Sequence, residues 1–316
     1  MRRLVIVGSD SRDRQVAKIA EREGWTVQFA SAVVTQGPGD LASSFPEGAS
    51  LLGPVMGIDD DGRIQTEHGV LRLDDEVLEK MIGGVCAAGI VAPSVRRRAE
   101  GLGIRVVSYR ESEAFSWQNA VLTAEGAIQA TIGASGYGVY RRPIGILGYG
   151  RVGRALARRL SLLGAKVRVF DEELSHRAQA ESEGISAYPI APQAVGRIDL
   201  LFNTIPHPVI TQEWERLLQD VLIFELASAP GGVAAEVDRA KLALAVLSGL
   251  PGKIAPMRAA EIIWETVMAV DPSVDTRGGK DDGIFDRSEN WPGDGSFALQ
   301  HGACCVYNKG TGGERC

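Results

Sequence analysis

The sequence predicts an α/β protein built from two doubly wound domains, the second a Rossmann dinucleotide-binding fold. Three observations carry this expectation. Short apolar runs alternate with amphipathic stretches almost from the first residue, the pattern of parallel sheets covered by helices. The alternation pauses over 114–140 and then restarts. The restart opens with a Gly-x-Gly-x-x-Gly motif at Gly148.

In the first series, Leu4–Val7 reads as a strand, 12–23 as a helix ended by Gly24, and Thr26–Phe29 as a strand. Residues 35–50 are rich in Gly, Pro and Ser and read as a loop. Leu51–Met56 is expected as a strand, Asp59–Gly62 as a solvated turn, and 63–65 with 70–72 as a hairpin. A helix over 75–81, a strand over 85–88, a helix over 93–101 and a strand over 104–108 complete the series. Ala114–Tyr140 reads as a helix and connector. The second series has expected strands at 144–147, 166–170, 198–202, 221–224 and 244–247. Its helices are expected at 152–163, 174–183, 212–218 and 234–242. A last helix over 256–270 can cross back to pack on the first domain. The expected division is 1–113, a connecting segment 114–140, the Rossmann domain 141–255, the returning helix 256–270, and a low-order tail 271–316, which is dense in Gly and Asp.

Composition narrows the function classes. The 316 residues are 45% hydrophobic and 23% charged, enough for a sizeable core. A net charge of −6 argues against the broad basic footprint of a nucleic-acid binder. No apolar run approaches the ~18–20 residues of a membrane helix. The four apolar residues after Met1-Arg2-Arg3 are too few for a secretory leader, so a cytoplasmic protein is expected. Cys86 reads as a small core residue, and Cys304, Cys305 and Cys316 do not form a metal-ligand pattern, so no metal is expected.

Gly148-Tyr149-Gly150-Arg151-Val152-Gly153 follows an apolar strand and opens a helix. The next strand ends at Asp171, about 20 residues on, which completes the dinucleotide fingerprint. Gly148 permits the turn, Gly150 the approach to the pyrophosphate, and Gly153 close helix packing. Asp171 would accept hydrogen bonds from the adenosine ribose and repel a 2′-phosphate, which favours NAD(H); Arg168 or Arg177 could instead pair that phosphate, so NADP(H) stays open.

Three further loops follow expected strand ends, where ligands bind in open α/β sheets. They are Asn203-Thr204-Ile205-Pro206-His207, 225–232 with Ser228, and 248–256 with Lys253. Asn203, Thr204, Ile205 and Pro206 are candidate cofactor contacts. Lys253, His207, Thr123, Glu125 and Ser228 are the candidates for the catalytic site. Thr123 and Glu125 have an equal reading as a helix cap and first-turn anion.

Residues 119–126, the 148–153 fingerprint, 203–206, 226–228 with 230–232, and 249–253 with Ala255-Pro256 together resemble the dipicolinate synthase A-subunit family over about residues 1–270. Leu122 and Glu225 depart from that pattern, where Pro and Asp are common. The resemblance implies a two-domain form related to D-2-hydroxyacid dehydrogenases. It also implies nicotinamide-dependent oxidation of a dihydrodipicolinate-type intermediate to pyridine-2,6-dicarboxylate in the mother cell of a sporulating bacterium. A flavoprotein-like B subunit is the implied partner, and a homo-oligomer is expected. The alternatives are a D-2-hydroxyacid dehydrogenase, for which 248–256 lacks the needed histidine, and an NAD-binding subunit without chemistry of its own.

Overall fold

The computed structural model describes residues 2–8, 10–30, 41–136 and 138–269. The expected tail at 271–316 lies outside the described residues, as do residues 35–40 of the expected loop. The first series comprises β1 (Arg3–Ile6), α1 (Ser11–Arg22), β2 (Thr26–Phe29), β3 (Ser50–Leu52), β4 (Arg63–Thr66), β5 (Gly69–Arg72), α2 (Asp75–Lys80), β6 (Val85–Ala88), α3 (Pro93–Gly101) and β7 (Arg105–Ser108). Then comes α4 (Glu113–Ser135). The second series comprises β8 (Pro143–Leu147), α5 (Arg151–Leu162), β9 (Lys166–Phe170), α6 (Leu174–Ser182), β10 (Ser186–Tyr188), β11 (Leu200–Asn203), α7 (Gln212–Glu215), β12 (Leu222–Glu225), β13 (Ala243–Val246), α8 (Leu250–Ile254) and α9 (Pro256–Met268).

Five strands form a parallel sheet in the order β2-β1-β3-β6-β7, and six form a second in the order β10-β9-β8-β11-β12-β13. All pairings in the second sheet are parallel. That second order is 3-2-1-4-5-6 within its series, the dinucleotide-binding arrangement. The β4–β5 hairpin is antiparallel and stands apart from both sheets. Alternation along β1 sends Val5 and Val7 to one core and Leu4 and Ile6 to the other, so both faces are covered. The same division in the second sheet sends Ile144 and Ile146 one way and Leu147 the other.

Two long helices couple the sheets. Helix α4, capped by Ser112, lays Ala120, Ala124 and Ala127 on the second sheet's core. Phe115 and Leu122 of the same helix enter a core of the first. Helix α9 returns to α1, burying Ile262, Ile263, Trp264 and Val267 with Val16, Ala20 and Trp25. Trp264 meets Trp25 edge-on at 5.6 Å, a contact worth ~0.5–1.5 kcal/mol beyond its buried area.

Four local expectations are corrected. The strand expected over 51–56 ends at Leu52, because Pro54 lacks an N–H and its carbonyl instead accepts from Gly57 and Gly89. The helix expected over 234–242 is one tight turn, Arg239–Lys241. Val233 bridges Ile210 and Val237 joins the same core, so their apolar spacing reflects chain-distant packing, not helical period. The helix expected over 212–218 stops at Glu215. The loop expected over 248–256 contains α8, started by Pro251 within its first turn. Strand β10 was not anticipated; only three residues long, it lies at the edge of its sheet.

Candidate functional site

Strand β8 runs into Gly148, whose φ of +90° is open to glycine without strain. Its N–H donates to Phe170 O at 2.8 Å. A Cβ at Gly153 would overlap Gly148 O, so the glycine lets α5 sit against the loop. Gly150 caps α5 without a side-chain bond, and a Cβ built there meets nothing within 4 Å. The space over Gly150 adjoins the positive end of α5, whose first N–H groups have no partner within the helix, which suits a pyrophosphate. The residues present fit the dinucleotide.

The other fingerprint positions serve through the backbone. Tyr149 is buried in the second sheet's core, and burial followed by the Glu183 charge pushes its hydroxyl up to about 12. Its side chain is therefore withdrawn from the expected cofactor surface, and its N–H donates to Asp171 Oδ2 at 2.6 Å. Arg151 is exposed and its guanidinium pairs with Glu113 at the start of α4. Val152 packs on the core.

Asp171 follows β9 directly and is buried, at 7% exposure. Oδ1 accepts from Glu173 N at 2.9 Å and lies 3.1 Å from His176 Nδ1. The carboxylate thus faces the fingerprint loop, fixed by Tyr149 and by the start of α6. Of the two arginines considered for a 2′-phosphate, Arg168 is tied to Val195 O at 3.0 Å. Arg177 donates to Asp171 O and Glu172 O at 2.8 and 2.7 Å, beside the carboxylate.

Across the switch point, β11 and β12 end in Asn203 and Glu225, both buried. Asn203 Nδ2 donates to Glu225 Oε1 at 2.7 Å and to Ile205 O at 2.9 Å. Ala227 N donates to Oε1 at 3.0 Å and Gly232 N to Oε2 at 2.8 Å. One carboxylate thereby holds both loops that follow β11 and β12. Asn203 spends its side chain on this frame, not on open space. Thr204 Oγ1 donates to Leu147 O at 2.8 Å and braces the fingerprint turn, while Ile205 abuts Gly148. Pro206 and His207 are exposed beyond them. Sequence reasoning passed over the Glu225 frame. Its one signal is Gly232, where a Cβ would overlap the Asn203 amide.

The remaining candidates are dispersed. Ser228 is exposed at a turn closed by Gly231 N and Ser228 O at 3.0 Å. Lys253 is exposed on α8. Thr123 and Glu125 lie well inside α4, which corrects their reading as a cap and first-turn anion. Thr123 Oγ1 donates to Asn119 O at 2.9 Å, and Glu125 faces Arg159 of α5 at 3.7 Å. The structure brings the fingerprint, Asp171 and 203–205 together and leaves Glu125 on the α4–α5 surface.

Residues 117–220 match the family model of the D-isomer specific 2-hydroxyacid dehydrogenase NAD-binding domain. The chain is 27% identical over 239 residues to the A subunit of dipicolinate synthase from Bacillus subtilis (strain 168), covering 73% of this chain and 80% of that protein. The fold is shared with the crystal structure of the dipicolinate synthase A subunit from Bacillus halodurans: TM-score 0.71, 23% identity, 85% of this chain and 97% of the other. D-lactate dehydrogenase from Escherichia coli shares it more distantly, with TM-score 0.52, 14% identity, and 84% and 95% of the two chains. No helix among the described residues is long and apolar enough to cross a membrane. The chain thus carries an NAD-binding domain of the D-2-hydroxyacid dehydrogenase type and is similar, over most of its length, to the A subunit of dipicolinate synthase.

Proposed function

We propose that the protein is the A subunit of a dipicolinate synthase. It oxidises a dihydrodipicolinate-type intermediate to pyridine-2,6-dicarboxylate during sporulation, in the mother cell, and its partner is a flavoprotein-like B subunit. The observation that carries this reading is the reach of the similarity: 239 residues, well beyond the NAD-binding segment 117–220. NAD, when bound, supplies the hydride acceptor. The chain's part is to cradle the pyrophosphate at Gly148–Gly153, hold the ribose at Asp171, and keep the loops 203–206 and 226–232 fixed through Glu225. Aromatisation of the ring makes hydride loss favourable, so orientation is the protein's main task. In this reading Lys253, Ser228 and His207 line the substrate side, and Thr123 and Glu125 have the weakest claim to it.

The D-2-hydroxyacid dehydrogenase reading requires a histidine set by a carboxylate near the nicotinamide. Among the described residues His207 has no such partner, and His176 pairs with Asp171 at the adenosine end. The test is formation of reduced nicotinamide from a dihydrodipicolinate-type substrate, with and without a candidate B subunit. Oxidation of a 2-hydroxy acid, with no turnover of the dihydro substrate under either condition, would sink the proposal.

A further inference from the structure

The two sheets meet at a point the sequence motifs do not mark. Strand β1 leads through Gly8 to Asp10, which caps α1. Helix α8 follows β13, on the β11–β13 side of the switch point, opposite Asp171. Ser11 Oγ donates to Gly252 O at 2.6 Å, across 241 positions of sequence. A Cβ at Gly252 would lie 2.8 Å from Arg12 Nε, so the guanidinium rests on the backbone of α8. Arg12 therefore belongs to the first turn of α1, in the first series, yet sits on the nicotinamide side of the second sheet.

Its hydrogen bonding leaves one edge open. Arg12 is largely buried, its side chain 15% exposed. Nε donates to Asp10 Oδ2 at 2.9 Å, and Nη2 donates to the same oxygen. Asp10 Oδ1 accepts from Arg12 N at 2.7 Å and Asp13 N at 3.3 Å. The Nε–Nη2 edge is thus occupied. Among the described residues no partner is assigned to Nη1, so the Nη1–Nη2 edge retains the fork that a second carboxylate takes in bidentate fashion. The Asp10 charge is shared among four N–H donors. Burial works against that charge, but the Arg12 guanidinium and these N–H groups hold Asp10 below its ordinary value. Its neighbour Asp13 is pushed up to about 7, by burial and then by Asp10, so it adds only part of a charge at neutral pH.

We propose that Arg12 binds a substrate carboxylate through its Nη1–Nη2 edge, presented to the nicotinamide side by Asp10 and by the bare backbone at Gly252. The identity of that substrate as a pyridine-type dicarboxylate rests on the function proposed above; the carboxylate specificity of Arg12 does not. The cation thereby comes from the domain opposite the one that carries the dinucleotide.

The test titrates pyridine-2,6-dicarboxylate and, separately, pyruvate into the NADH-bound full chain and its Arg12→Gln, Arg12→Lys and Gly252→Ala variants. Loss of a charge-assisted contact predicts dicarboxylate binding weakened about 10- to 150-fold in Arg12→Gln, with NADH affinity unchanged. Arg12→Lys keeps charge without the fork and should fall between, which keeps the test usable if the glutamine variant folds poorly. Gly252→Ala should weaken binding in the same direction, since its Cβ displaces the guanidinium. Unchanged dicarboxylate affinity in Arg12→Gln overturns the assignment while leaving the proposed function standing. Arg12-dependent binding of pyruvate alone would keep Arg12 as a carboxylate site and remove the proposed function. Failure of the unmodified protein to bind either acid overturns the assignment.

Discussion

Replacing Glu225 by glutamine changes almost no volume and tests the frame that joins the two loops. Oε1 accepts from Asn203 Nδ2 and Ala227 N, whereas Oε2 accepts from Gly232 N alone. Glutamine can keep its oxygen at the Oε1 position and preserve two of the three bonds. Its amide nitrogen then faces the Gly232 N–H, donor against donor, in a site where Glu225 is 5% exposed. A lost bond to a charged group contributes ~1.5–3 kcal/mol, and an unsatisfied buried donor costs ~1–3 kcal/mol. The expected destabilisation of Glu225→Gln is therefore about 2.5–6 kcal/mol, a large share of a typical ~5–15 kcal/mol total. Urea unfolding at neutral pH reads the global effect. Hydrogen exchange at the Gly232 amide reads the local one and should accelerate even where the global transition is complicated by two sheets. A loss under about 0.5 kcal/mol together with unaltered Gly232 protection would refute the frame.

Asp171→Ser should narrow or reverse the preference for NADH over NADPH, because the carboxylate beside the ribose position is removed; tighter NADPH binding by the unmodified chain would show that Asp171 does not set the preference. Asp13 gives a pH signature. Its raised folded value means that the native state keeps a proton the unfolded chain has lost between about pH 4 and 7. Stability should fall as pH rises through that window, at up to ~1.4 kcal/mol per unit, and Asp13→Asn should flatten the profile; identical slopes in the two proteins would contradict this. Lys253→Ala should leave NADH binding unchanged and weaken pyridine-2,6-dicarboxylate by no more than about fivefold, since exposed ion pairs contribute ~0–1 kcal/mol. A larger loss than in Arg12→Gln would exchange the roles assigned to the two residues.

The fingerprint was legible because its parts are contiguous: strand, glycines, helix and the Asp171 strand occupy one short stretch in which local chemistry dictates local shape. The strand ends at Asn203 and Glu225 were legible as places, since apolar runs mark buried strands. What those side chains do there was not, because their bond joins positions 22 apart and leaves no periodic trace. The contact of Ser11 with Gly252 is more extreme. Asp10-Ser11-Arg12-Asp13 carries a capping-box pattern, and both reciprocal bonds form, but nothing local says what lies beyond the cap. At 233–237 the failure ran the other way. Within the helix expected over 234–242, Ala234 and Val237 imitate a helical stripe, yet both are buried in the core that Val233 enters through its bridge to Ile210.

The seam between Trp25 and Trp264 has a consequence for biosynthesis. Trp25 and the stripe Val16, Ala20 leave the ribosome early, but their cover arrives only with α9. At ~5–20 residues per second the interval between the two tryptophans lasts roughly 10–50 s. Within it every strand of the second sheet has emerged, so the nucleotide-binding half can close while the half made before it still exposes an apolar face. Helix α9 thus seals a unit begun at the other end of the described chain. A nascent chain halted before Pro256 would therefore present a folded cofactor domain tethered to an unsealed one, a ready client for chaperones and proteases.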